Sequence, residues 1–207
     1  MTGPAAEISG GFAVVGAGAW LFGPAQPAAS RGTLRRRGLK GFVCPDRAAL
    51  SLCEIAESGS AHCAASDRPF LTRIDCGAPV TAVSDKVLVA PAEARTGARL
   101  LRVVPMSLAR SLRVTEFSSE WVVMATRSRT ARVALADGES LGVRPDAAVA
   151  WTGPRPTGFC PRLRLLDVLL PRGPRDLLLH FHGPAIVWIE GSEPLPLRTA
   201  APRRAVF

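Results

Sequence analysis

His180 and His182, two positions apart, are the residues of this chain best spaced to hold a ligand. Side chains on a strand repeat every two residues, so both imidazoles would project from one face. Two such ligands begin a metal site, but a stable site needs more. Glu190 lies beyond Gly183-Pro184, at a register the sequence does not fix. The residues alone are therefore read as two partly exposed histidines with no stoichiometric metal. Nucleophilic catalysis would need a cysteine or serine beside a base and an oxyanion donor. No Gly-x-Ser-x-Gly turn is present, and no motif brings Cys160 to His180. Asp137 and Glu139 flank a glycine, where acidic turn residues are routine. Gly16-x-Gly18 follows Val14-Val15 as in a dinucleotide loop, but Leu21 stands where the third glycine belongs. Gly23-Pro24 stands where a helix should follow. No catalytic residue and no cofactor is assigned, and the chain is read as non-enzymatic.

Charge is the other chemical signal. The net charge is +9 and the pI about 10.8, and a surface of that sign draws nucleic acid or anionic lipid. Lys occurs only at 40 and 86, and Tyr and Asn are absent. That skew marks a GC-rich coding bias, which raises Arg whatever the function. The candidate anion contacts are Arg35, Arg36, Arg37 and Lys40 in one cluster, and Arg127, Arg129 and Arg132 in another. A base-reading surface interleaves aromatics with basic residues. Here Trp151 and Trp188 lie in apolar runs, which is core placement. RNA is thus the less favoured partner, behind anionic lipid and membrane proteins; a second copy of the chain is a further candidate.

The five cysteines, at 44, 53, 63, 76 and 160, include no C-x-x-C pair. An odd number in a chain of this length reads as buried free thiols in a reducing compartment. No run reaches the roughly eighteen apolar residues of a membrane-spanning helix. Glu7 precedes the apolar stretch Phe12–Phe22, where a signal peptide carries Lys or Arg.

The elements that must position these residues are strands. The 47% apolar content over 207 residues supports a globular core. Phe12–Phe22 reads as a strand with a glycine bulge. Arg31–Val43 reads as a turn between short strands. Pro45–Gly59 is the one helix candidate: Asp46 can cap it, Ala49, Leu52, Cys53 and Ala56 line a face, and Gly59 ends it. Asp75–Ala90 and Asp137–Ala150 look like copies of a strand–turn–strand unit, each with an Asp eight residues after a glycine (Asp85 after Gly77, Asp146 after Gly138). Such hairpins must pack on each other to bury a face. Trp121–Leu135 is a further strand pair, and Arg162–Leu170 an edge strand or short helix. Leu178–Ser192 is two strands meeting at a hairpin or corner at Gly183-Pro184. The expectation is a single mainly all-β domain over residues 1–196, two packed antiparallel sheets with one short helix. Residues 197–207 form a loose basic tail. Trp151 and Trp188 should face inward, each indole N–H meeting a backbone acceptor.

Four segments, taken in order, resemble the altered-inheritance-of-mitochondria protein 24 family. They are FAVVGAGAWL with RGTLRRRGLKGFV, then Pro69–Lys86, then Gly142–Gly153 (GVRPDAAVAWTG), then Phe181–Ser192 (FHGPAIVWIEGS). Glu190-Gly191 departs from the more polar end of that family's last segment, and the Trp121 region is more compact. The resemblance implies a β-sandwich similar to the tryptophan RNA-binding attenuator fold. It also implies association with the mitochondrial inner membrane, where members support respiratory-complex and cristae organisation. It carries over no catalytic residue.

Overall fold

The structure, a computed structural model, describes residues 6–9, 12–22, 26–31, 34–36, 53–55, 60–65, 67–91, 95–102, 111–159 and 178–191. The described chain is built from antiparallel strands in four sheets. The outermost sheet on one side runs β1 (Ala6–Ser9), β2 (Phe12–Gly16), β7 (Ser60–Ala64), β4 (Gln26–Arg31). The second runs β5 (Leu34–Arg36), β6 (Cys53–Ile55), β3 (Ala19–Leu21), β10 (Val87–Pro91), β13 (Trp121–Thr126), β8 (Phe70–Asp75). The third runs β11 (Arg95–Arg102), β12 (Ser111–Ser118), β9 (Val80–Val83), β16 (Ala148–Thr152), β19 (Ala185–Glu190), β14 (Thr130–Leu135). The fourth has β15 (Ser140–Val143), β18 (Leu178–His182) and β17 (Thr157–Phe159).

Three cores join these layers. Ala13, Val15, Cys63, Val89, Trp121 and Val123 fill the space between the first and second sheets. Ile74, Val80, Phe117, Val122, Met124 and Trp188 fill that between the second and third. Leu141, Val143, Trp151, Leu179, Phe181 and Val187 fill that between the third and fourth. The expected pair of packed antiparallel sheets thus occurs twice, back to back.

This stacking explains the sequence of the middle strands. VLVAP, WVVMAT, AVAWT and AIVWIE belong to the two inner sheets, which have a core on each face, so polar alternation is lost. In β13, Trp121 and Val123 face one core while Val122 and Met124 face the next. β10 and β16 each carry a register shift, at Val87/Val89 and Ala148/Ala150. The extra residue turns two neighbours to one side. Leu88 and Val89 share one core and Val149 and Ala150 another, each pair flanked by residues facing the opposite way.

Neither of the two look-alike segments folds as a hairpin. Each strand pair steps from one sheet to the next: β9 to β10 through a single 3-10 turn at Ser84–Lys86, and β15 to β16 through residues 144–147. Phe12–Phe22 does the same and is not one bulged strand. It breaks at Ala17-Gly18, with Gly18 at φ 77°, and passes from the first sheet to the second. β13–β14 and β18–β19 also step between sheets, so Gly183-Pro184, a cis bond, is a strand corner.

The helix expected over Pro45–Gly59 is corrected where it is described. Cys53–Ile55 is strand β6, paired to β3 through Trp20↔Glu54 and to β5 through Arg35↔Glu54. Ladder bonds on both sides, and burial of Ile55, outweigh the local helical pattern. The remainder of that segment, Arg162–Leu170 and residues 197–207 lie outside the described residues.

Candidate functional site

Four places concentrate chemistry-bearing side chains. The first is the corner between β13 and β14. Arg127 and Arg129 lie in its turn and Arg132 on β14, the edge strand of its sheet, and all three are exposed. Arg132 is in register with Trp188 on β19. The turn is fastened from beneath. Glu190 accepts hydrogen bonds through Oε1 from the backbone N–H groups of Arg127 and, at 3.2 Å, Ser128. Gly191 N–H donates to the Arg129 carbonyl at 3.0 Å.

The arginines differ in how they are neutralised. Arg68 pairs with Asp85, Arg73 with Asp75, and Arg144 with Asp146. The Arg144 hydrogen bond is the main cause that holds the Asp146 carboxyl below its ordinary range. Arg73 also donates to the Ala6 carbonyl at 2.6 Å and lies over the Trp121 ring at 5.7 Å. Arg127, Arg129 and Arg132 form no ion pair with another described residue.

The two sequence clusters do not merge. Arg35 and Arg36 lie on β5, at the opposite edge of the second sheet from β8, four strand positions from β13. At about 4.8 Å per strand, that separates them from the Arg127 corner by roughly 19 Å. Arg37 and Lys40 lie outside the described residues.

The second place was not foreseen. Lys86, at the end of the 3-10 turn, is buried, and its Nζ lies 2.6 Å from Glu190 Oε2 and 2.7 Å from the Asp146 carbonyl oxygen. One ammonium thereby joins the β9–β10 crossover, the β15–β16 crossover and the end of β19. Burial pushes the Glu190 carboxyl up. The Lys86 hydrogen bond and charge, with the N–H groups of Arg127 and Ser128, outweigh it, leaving Glu190 below the ordinary glutamate range. The sequence signal was slight: one of only two lysines, standing directly before an apolar strand.

The third place is the His180–His182 pair on the outer face of the fourth sheet. His180 Nδ1 and His182 Nε2 are 3.1 Å apart, and the rings are perpendicular with centroids 4.5 Å apart. His180 is half-buried, and burial, then the nearby His182, lower its pKa. The fourth comprises two cysteine thiols, those of Cys63 and Cys76. Cys63 is buried in the first core, and Cys76 sits 3.5 Å from the Ile74 carbonyl. Burial first, then the Asp75 charge, push the Cys76 thiol to about 11, against a smaller lowering by Ser119.

The tryptophans are placed as expected, with one correction. Trp151 is 1% exposed and Trp188 7%, each facing an inter-sheet core. The Trp151 indole N–H, however, meets no acceptor among the described residues, and neither does that of Trp20. The Trp151 ring lies edge-on to Phe181, with centroids 5.4 Å apart, so aromatic packing sets its position.

Among the described residues no cluster of three or more metal-ligating side chains occurs, and no helix is long and apolar enough to cross a membrane. No family model and no curated protein matches the chain. A crystal structure of a Streptococcus pyogenes protein from a structural genomics consortium is similar in fold. It superposes with a TM-score of 0.66 at 11% identity, over 91% of this chain and 92% of that one. This likeness supports the all-β sandwich architecture. It is a likeness of fold alone.

Proposed function

We propose that the chain is a non-enzymatic β-scaffold that docks on an anionic membrane surface through the β13–β14 corner. The observation that carries this is the contrast among its arginines. Arg68, Arg73 and Arg144 are held by neighbouring carboxylates, whereas the side chains of Arg127, Arg129 and Arg132, at one corner, form no ion pair with a described carboxylate. The net charge of +9 favours the same kind of target. The resemblance of four segments to the altered-inheritance-of-mitochondria protein 24 family supports a more specific reading. That is an assembly factor at the mitochondrial inner membrane, acting with membrane proteins in respiratory-complex and cristae organisation.

Flotation with vesicles tests the docking surface. The chain should rise with cardiolipin-containing vesicles and stay behind with purely zwitterionic ones. Basic residues at an anionic surface contribute about 1 kcal/mol each, so replacing the three arginines with Ala should weaken partitioning by roughly two orders of magnitude. Equal binding by the triple variant would remove the corner as the docking site. A gel shift with RNA and no flotation would move the assignment to a polyanion-binding module.

A further inference from the structure

We propose that His180 and His182 form a chelating site for a borderline divalent transition-metal ion on the outer face of the fourth sheet. Sequence reasoning set these residues aside for want of a third ligand. The structure supplies a different argument, the separation of the two nitrogens. Two nitrogens bound side by side to one metal at about 2.0–2.1 Å lie roughly 2.8–3.4 Å apart, as the angle opens from square to tetrahedral. His180 Nδ1 and His182 Nε2 are already 3.1 Å apart. The separation of the two nitrogens therefore matches that of two ligands on one ion, and the perpendicular rings need only turn their lone pairs toward a shared point.

The platform is fixed. β18 is the middle strand of its sheet, with β15 on one side and β17 on the other. Leu179 and Phe181, the alternate residues, are anchored in the third core. Across from His180 stand Gly142 on β15 and Thr157 on β17, and across from His182 stands Ser140 on β15. Leu178 occupies the space at Gly142, its Cδ1 3.2 Å from where a Gly142 Cβ would stand.

The exchange balances without acid or oxidant. In the neutral pair one ring donates its N–H to the other. On binding, that ring shifts to its other neutral tautomer, the two nitrogens replace two metal-bound waters, and no proton is released. Solvent completes the coordination. Imidazole nitrogen selects zinc, copper or nickel over magnesium or calcium.

The test is a titration of the full chain with Co2+, followed by absorption, because thiolate ligands give an intense near-ultraviolet band that imidazoles do not. One ion per chain is expected, without that band. His180→Asn and His182→Asn should each weaken affinity by ~10-fold or more, while His62→Asn, on the first sheet, should leave it unchanged. Equal affinity in the double variant, a thiolate band or no saturable binding would overturn the proposal. As a check independent of any variant, Zn2+ added to the 15N-labelled parent should shift the ring nitrogens of His180 and His182 selectively. Unmoved ring signals would overturn it equally.

Discussion

Lys86 Nζ and Glu190 Oε2 meet at 2.6 Å although the residues are 104 positions apart, and both side chains are nearly shut off from solvent. A pair so enclosed is worth little compared with apolar side chains of the same shape, yet breaking it is costly, because the survivor is a buried charge. Glu190→Leu strands the Lys86 ammonium and two backbone N–H groups, and should cost about 3–5 kcal/mol in urea unfolding. Glu190→Gln keeps an acceptor and should cost less.

The same carboxyl gives a signed pH dependence. Its folded pKa lies below its unfolded one, so its contribution is fully present above the ordinary glutamate range. It is lost as pH falls through that range toward the depressed value. The gap in urea midpoint between parent and Glu190→Gln should therefore narrow on acidification in that window. A constant gap would show that the charge of Glu190 contributes nothing to stability.

Trp188 faces the core between the inner sheets. Trp188→Ala should cost roughly 3–5 kcal/mol, enough to unfold a domain of ordinary stability. A variant that melts with the parent would contradict this placement.

Gly183 stands against the chain at Ala136, where an added Cβ would lie 1.8 Å from the carbonyl oxygen. Backbone must move to admit it, so Gly183→Ala should lower the melting temperature sharply. Gly77→Ala is the matched control, since a Cβ there meets nothing within 4 Å. Similar melting of the two variants would refute the close approach.

Cys76, with its thiol pushed to about 11, holds almost no thiolate at neutral pH, and Cys63 is fully enclosed. Iodoacetamide at neutral pH, read by peptide mass spectrometry, should leave both unmodified in the folded chain and label both in denaturant.

The sequence disclosed strands where burial leaves a compositional trace. Trp121–Thr126 and Ala185–Glu190 are continuous apolar runs because each has a core on both faces, and Asp85 and Asp146 each lie in a turn between two sheets. Partners left no such trace. Val80–Val83 and Val87–Pro91 read as one hairpin, yet they belong to different sheets, because only tertiary packing decides whether a turn folds a strand back or sends it to the next layer. Cys53–Ile55 carries a helical pattern that ladder bonds to β3 and β5 override. Of the site, the exposed arginines at 127, 129 and 132 were legible as a charge run. The Lys86–Glu190 contact depends on two crossovers converging, which no local pattern records.

Those crossovers govern how the chain can be assembled during synthesis. In the second sheet β10 lies between β3 and β13, so Leu21 and Val89 wait for Trp121–Thr126 before that layer is complete. In the third, Ala82 pairs with Ala150, whose strand in turn needs Ala185–Glu190. No inner layer can close from neighbouring sequence. Pairings of such long range fold slowly, on the order of milliseconds to seconds. A ribosome must therefore release the strands up to Glu190 before its two inner layers can become a folded unit, and until then their apolar strands stay unpaired and exposed.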